Sequence, residues 1–260
     1  MHRAVFVSGF LVAATFVSLI WGRLLWYLDE RSQAFRQWAF VAMGYTSRML
    51  GEVRSGLLSF IYYGFGMLAA FLFLIFFGLR ASTLISLSVT HLGLAVLGAI
   101  GEISLTNLLV DLTCRATGQG GPEQFGEVRE IPWIKGLLRL PPSVVPVAAA
   151  LGGIVEEVFF RGVLLRILTD KLLFAPLAAV AITGALFCVQ QLIQIRTGFQ
   201  AMIICCSCVA ISLVGGLLVV LTGSMVPAVL SHASFVVFFM TQGGADSVSF
   251  SRSVAKGRPQ

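Results

Sequence analysis

Two adjacent glutamates and an arginine stand in the middle of an otherwise apolar run, LGGIVEEVFFRGVLLR. Ionisable side chains at bilayer depth cost several kcal/mol and mark functional sites by default. On a helix, Glu157 and Arg161 are four residues apart and share a face, with the acid N-terminal to the base in the favourable order. Glu156 points about 100° away around the helix, because 3.6 residues make a turn. One carboxylate is therefore neutralised locally while the other faces a different neighbour. Two readings follow from the residues. In one, Glu157–Arg161 is a structural ion pair and Glu156 a satisfied buried acid. In the other, Glu156 activates a water molecule for attack. Gly152 and Gly153, one turn earlier, allow another helix or a peptide to approach closely.

The elements that must position these groups are membrane helices. Of 260 residues, 57% are hydrophobic and only 12% charged, with a mean hydropathy of +0.92. A soluble domain carries about 25% charged residues, so this chain cannot coat a globule in water. The 27 glycines have no fixed period, which excludes a collagen-like chain. The high apolar content excludes disorder. Although the net charge is +6, the basic residues are spread through short loops rather than along a stripe with aromatics, so no nucleic-acid partner is expected.

A span needs about 20 predominantly apolar residues. Runs at 4–28, 57–79, 82–111, 143–168, 172–195, 199–222 and 224–241 satisfy this closely enough to predict an all-α polytopic bundle of about seven transmembrane helices, within a range of six to eight. The first run is too long for a signal peptide and is read as retained. Residues 29–56, basic and aromatic, suit an interfacial helix. Residues 112–142 form the one clear loop, with IPWIKGLLRLPP along the membrane surface. The expected organisation is an N-terminal helical half (1–141), a motif-bearing segment (142–241) and a flexible tail (242–260). Twelve Lys and Arg fall in 29–56, 112–142, at Arg196 and in the tail, against four on the other side. The positive-inside tendency then puts the N-terminus outside and the C-terminus in the cytoplasm.

With the apolar context in place, Glu156-Glu157-x-x-x-Arg161-Gly162 resembles the first motif of the CAAX-protease and bacteriocin-processing family of intramembrane proteases, which includes the prenyl-protein endopeptidases of eukaryotes. The second motif of that family, Phe-x-x-x-His, is matched in position by Phe187-Cys-Val-Gln-Gln191, and the third, His-x-x-x-Asn/Asp, by His232-Ala-Ser-Phe-Val236. The resemblance covers roughly residues 142–241 and implies a bundle like the CAAX prenyl endopeptidase core, with the motif helices facing a common polar cavity. It also implies that the first glutamate and the second-motif histidine activate water, while the third motif stabilises the oxyanion. Carried over by position, Glu156, Glu157, Arg161 and His232 are retained, whereas Gln191 and Val236 depart. Gln binds a water but cannot take its proton. Val offers no donor to an oxyanion, and one such donor is worth ~10²–10³ in rate.

The expected function is thus a homologue of glutamate-dependent intramembrane endopeptidases acting on membrane-associated or lipidated peptides, with activity impaired by Gln191 and Val236. The alternative is a non-catalytic pseudoprotease that binds a substrate or an active partner protease. A transporter with a pathway-lining acid is the third class, weakened by the absence of repeats or broken-helix pairs. Ser231, Ser234, Gln190 and Gln194 are candidate substitutes for the lost groups. Among other polar groups, Glu102, Asn107 and Asp111 lie in or near the third run, and His91 reads as a core histidine. A zinc set of His91, His232 and Glu156 matches in type but lacks any ligand spacing, so no metal and no cofactor are expected. Partners are membrane lipid and the peptide or lipidated protein. Cys188, Cys205, Cys206 and Cys208 sit in apolar runs and read as core packing, with no disulfide framework.

Overall fold

The computed structural model describes residues 2–80, 84–120 and 122–256, with side chains left undescribed at 2–4, 26, 122–123 and from 242 onward. All regular structure in these residues is helical. The helices are α1 (His2–Glu30), α2 (Gln33–Gly44), α3 (Leu50–Phe76), α4 (Val89–Thr117), α5 (Pro122–Val128), α6 (Pro132–Leu138), α7 (Val145–Glu157), α8 (Pro176–Leu192), α9 (Gly198–Thr222) and α10 (Val226–Lys256). Beyond Glu157, α7 continues in wide π turns over Val158–Leu164 and Ile167–Lys171.

Each expected span has a helical counterpart, and the chain is an integral membrane protein. Among the described residues four helices are long and apolar enough to cross a bilayer: Val5–Glu30, Leu50–Phe76, Val89–Thr117 and Gly198–Thr222. The apolar helices Pro176–Leu192 and Val226–Thr241 are shorter. Local chemistry sets the ends. Ser32 and Ser88 cap α2 and α4 by accepting from Phe35 N and His91 N, and Thr197 with Gln200 forms a capping box on α9. Gly118 and Gly223, with φ of 67° and 69°, terminate α4 and α9 in the left-handed conformation.

Three boundaries differ from expectation. Helix α3 starts at Leu50, inside the stretch read as interfacial, which leaves only α2 there, with Phe35 and Ala39 buried and Trp38, Phe40 and Val41 exposed. Residues 112–142 are not a plain loop. Helix α4 runs on to Thr117, and α5 and α6 fold from the remainder, each opening on a proline, whose fixed φ suits a first helical turn. The backbone of residues 242–256, read as tail, continues α10.

The helices that answer to the seven expected spans close into a ring. Helix α4 packs on α9, α9 on α8, α8 on α1, α1 on α3, α3 on α7, α7 on α10 and α10 back on α4. The π segment fills the middle, touching α3, α8 and α9, and Phe159, Phe160, Arg161, Val163 and Leu164 are fully buried there. Trp21 of α1, also fully buried, packs edge-on to Phe159 and stacks on Phe160. Helix α3 passes this indole only because Gly66 has no side chain: a Cβ would lie 2.3 Å from the ring.

Candidate functional site

The two glutamates are the last residues of α7 before its backbone widens, and they diverge as the helix rotation requires. Glu157, fully buried, turns toward the centre. Its Oε1 meets Arg161 Nη1 at 3.0 Å and accepts from His232 Nδ1 at 3.0 Å. Arg161 donates from Nη2 to Ser212 Oγ at 2.9 Å, and its guanidinium carbon lies 4.7 Å from the Phe187 ring centroid. A cation over an aromatic face, paired and hydrogen-bonded, offsets its desolvation in several ways at once. Phe187 in turn meets the edge of the His232 ring.

Glu156 turns the other way, toward a cavity of about 470 Å³. Its Oε1 accepts from Gln191 Nε2 at 2.7 Å and from the Tyr62 hydroxyl. Tyr62 oxygen itself accepts from Gln190 Nε2 at 2.9 Å. Glu156 Oε2 lies 3.8 Å from His232 Nε2. The imidazole therefore stands between the two carboxylates, one on each nitrogen. Helix α10 reaches this position by crossing α7 at Gly153, where a Cβ would contact Val236 at 3.4 Å and His232 at 3.5 Å.

The cavity walls are chiefly apolar, from α3, α9 and α10, and Val236 is part of the lining. Asp29, Glu30, Arg129 and Trp133 also line the cavity, from the C-terminal end of α1 and from the α5–α6 segment. Asp29 pairs with Arg54 of α3 at 2.7 Å, and Glu30 with Arg196 of the α8–α9 connection.

All five principal candidates, Glu156, Glu157, Arg161, Gln191 and His232, thus converge on one constellation. Of the possible substitutes, Gln190 joins it through Tyr62. Gln194 donates instead to the Gly22 carbonyl, and Ser234 to the carbonyl of Leu230 on its own helix. Ser231 is buried on α10, with its hydroxyl toward the carboxylate of Glu102 on α4 rather than toward Glu156. Glu102, fully buried on α4, faces that hydroxyl and the Glu157–Arg161–His232 group. His91 is half-buried at the start of α4, where Nδ1 bonds the Ser86 carbonyl, and it does not join Glu156. Asp111 forms an exposed pair with Arg115. Among the described residues no group of three His, Cys, Asp or Glu could hold a metal ion.

Tyr62 and Ser212 were not legible as members of the site. A tyrosine pair, Tyr62-Tyr63, inside an apolar span was the available signal, because a buried phenol needs a partner.

Residues 139–238 match the family model described as type II CAAX prenyl endopeptidase, Rce1-like. The matched stretch is related to CAAX-type endopeptidases; it covers under half of the chain and holds every site residue except Tyr62. No curated protein and no solved structure matches the chain.

Proposed function

We propose that this membrane protein takes a peptide or lipidated protein segment into the cavity over Glu156 and hydrolyses it poorly or not at all. The observation carrying this reading is the 2.7 Å hydrogen bond from Gln191 to Glu156. A primary amide stands where the resembled family has a histidine. It holds the carboxylate but cannot accept a proton from an attacking water. With Tyr62 donating to the same oxygen, Oε1 is doubly engaged and only Oε2 is left for a water. Val236, beside His232, gives a developing oxyanion no donor. The walls suit an apolar or prenylated chain. The charged part of the cavity lining, Asp29, Glu30 and Arg129, belongs to the side rich in Lys and Arg, the cytoplasmic side by the positive-inside tendency, from which a lipidated segment would enter.

One geometry favours a second reading with residual hydrolysis. Since Nδ1–H of His232 is committed to Glu157, a neutral imidazole presents Nε2 as an acceptor beside Glu156 Oε2. A water held between them could lose its proton to Nε2 and attack the peptide carbonyl, with that proton passing on to the leaving amine. Such a cycle still lacks the oxyanion donor. Engagement of an active partner protease is the remaining form of the binding reading.

The test is to reconstitute the full chain in nanodiscs and offer a prenylated peptide carrying a photocrosslinker. Crosslinking to cavity residues is expected, with cleavage no greater in wild type than in Glu156→Gln. Cleavage abolished by Glu156→Gln would establish the hydrolytic reading instead. Absence of crosslinking would overturn the binding site.

A further inference from the structure

Helices α8 and α9 run side by side, and their contact brings together thiols from both. Cys188 Sγ of α8 lies 3.6 Å from Cys205 Sγ of α9. Cys208, one turn further along α9, lies beside the same Cys188 thiol. Cys206 is directed elsewhere, with its sulfur 3.8 Å from the Thr113 hydroxyl of α4. All five cysteines are free thiols, and Cys188 and Cys205 are only half-buried.

We propose that Cys188 and Cys205 form an oxidative modification site, closing to a disulfide that ties α8 to α9 on exposure to a peroxide. A disulfide holds its sulfurs about 2.05 Å apart, so this pair must approach by about 1.5 Å. Rotation about χ1 within two half-buried side chains supplies a movement of that size. The chemistry balances with hydrogen peroxide as oxidant. One thiol, as thiolate, attacks a peroxide oxygen; the O–O bond breaks, a sulfenic acid forms and the other oxygen leaves as water. The second thiol displaces the sulfenic oxygen as a second water, and the S–S bond forms. Two thiols lose two electrons and two protons, and the peroxide takes them up. Gln191 is one turn beyond Cys188 and Phe187 directly precedes it, so the crosslink holds the face of α8 that meets Glu156 and Arg161 at a fixed rotation against α9.

The sequence provides a direct assay. Trypsin sites at Lys171, Arg196 and Arg252 place Cys188 in fragment 172–196 and Cys205 in fragment 197–252. After peroxide treatment of membranes holding the full chain, the two fragments are expected to stay joined until a reductant is added. Maleimide-reactive thiols in the denatured chain should fall from five to three. Cys188→Ser and Cys205→Ser should each abolish the link, while Cys206→Ser and Cys208→Ser should keep it. Fragments that separate without reductant in the treated wild type would overturn the proposal. So would a link that survives Cys205→Ser, because the partner would then be another thiol.

Discussion

Gln191 of α8 donates its side-chain amide to Glu156 of α7 at 2.7 Å, from 35 positions further along the chain. The contact puts a group with no basicity on the carboxylate that faces the cavity. A histidine at that position would need its ring nitrogen within the same reach, and Gln191 borders the cavity rather than a packed core.

The double variant Gln191→His with Val236→Asn is accordingly expected to raise cleavage of a prenylated reporter peptide. One oxyanion donor is worth ~10²–10³ in rate, and a positioned base ~10²–10⁴. A gain of at least about tenfold over wild type should be readable in reconstituted membranes even with imperfect placement. No gain, with the variant folded and still crosslinking to peptide, would count against Gln191 and Val236 as the lesion.

Arg161 is the counter-ion of a fully buried carboxylate. Arg161→Met leaves Glu157 with only the His232 hydrogen bond and no counter-ion, and breaking one side of a buried pair costs about 3–5 kcal/mol. Thermal unfolding in detergent should show a large loss of stability. Arg161→Lys should recover only part of it, because an ammonium cannot reach Glu157 and Ser212 with a planar fork while lying over Phe187. Full recovery by Lys would mean that charge alone matters there.

Gly66 and Gly64 lie two residues apart on α3 and make a matched pair. A Cβ on Gly66 would sit 2.3 Å from Trp21, whereas one on Gly64 meets nothing within 4 Å. Gly66→Ala is expected to destabilise the chain by about 1–3 kcal/mol through overpacking. Gly64→Ala should be neutral or slightly stabilising, because alanine is the better helix former. Equal thermal midpoints for the two variants would contradict the close approach of α1 and α3.

Much of this molecule is local in origin and was legible as such. The length of each apolar run and the four-residue spacing of Glu157 and Arg161 depend only on neighbours along the chain. The glycine and serine caps are local as well, although only the structure located them. Local rules missed the helices within 112–142 because charge and glycine there outweighed two helix-starting prolines.

What the tertiary structure alone decided is which residues face one another across the ring. Tyr62 on Glu156, the division of Gln190 and Gln191 between phenol and carboxylate, and His232 between two acids all depend on how each helix is rotated about its own axis. A soluble helix advertises that rotation through a polar face and an apolar stripe. A helix apolar on every side does not, since lipid and protein interior are equally acceptable to leucine. The residue types therefore identified a buried acid–base cluster and its family resemblance, and only packing determined which partner each polar atom found.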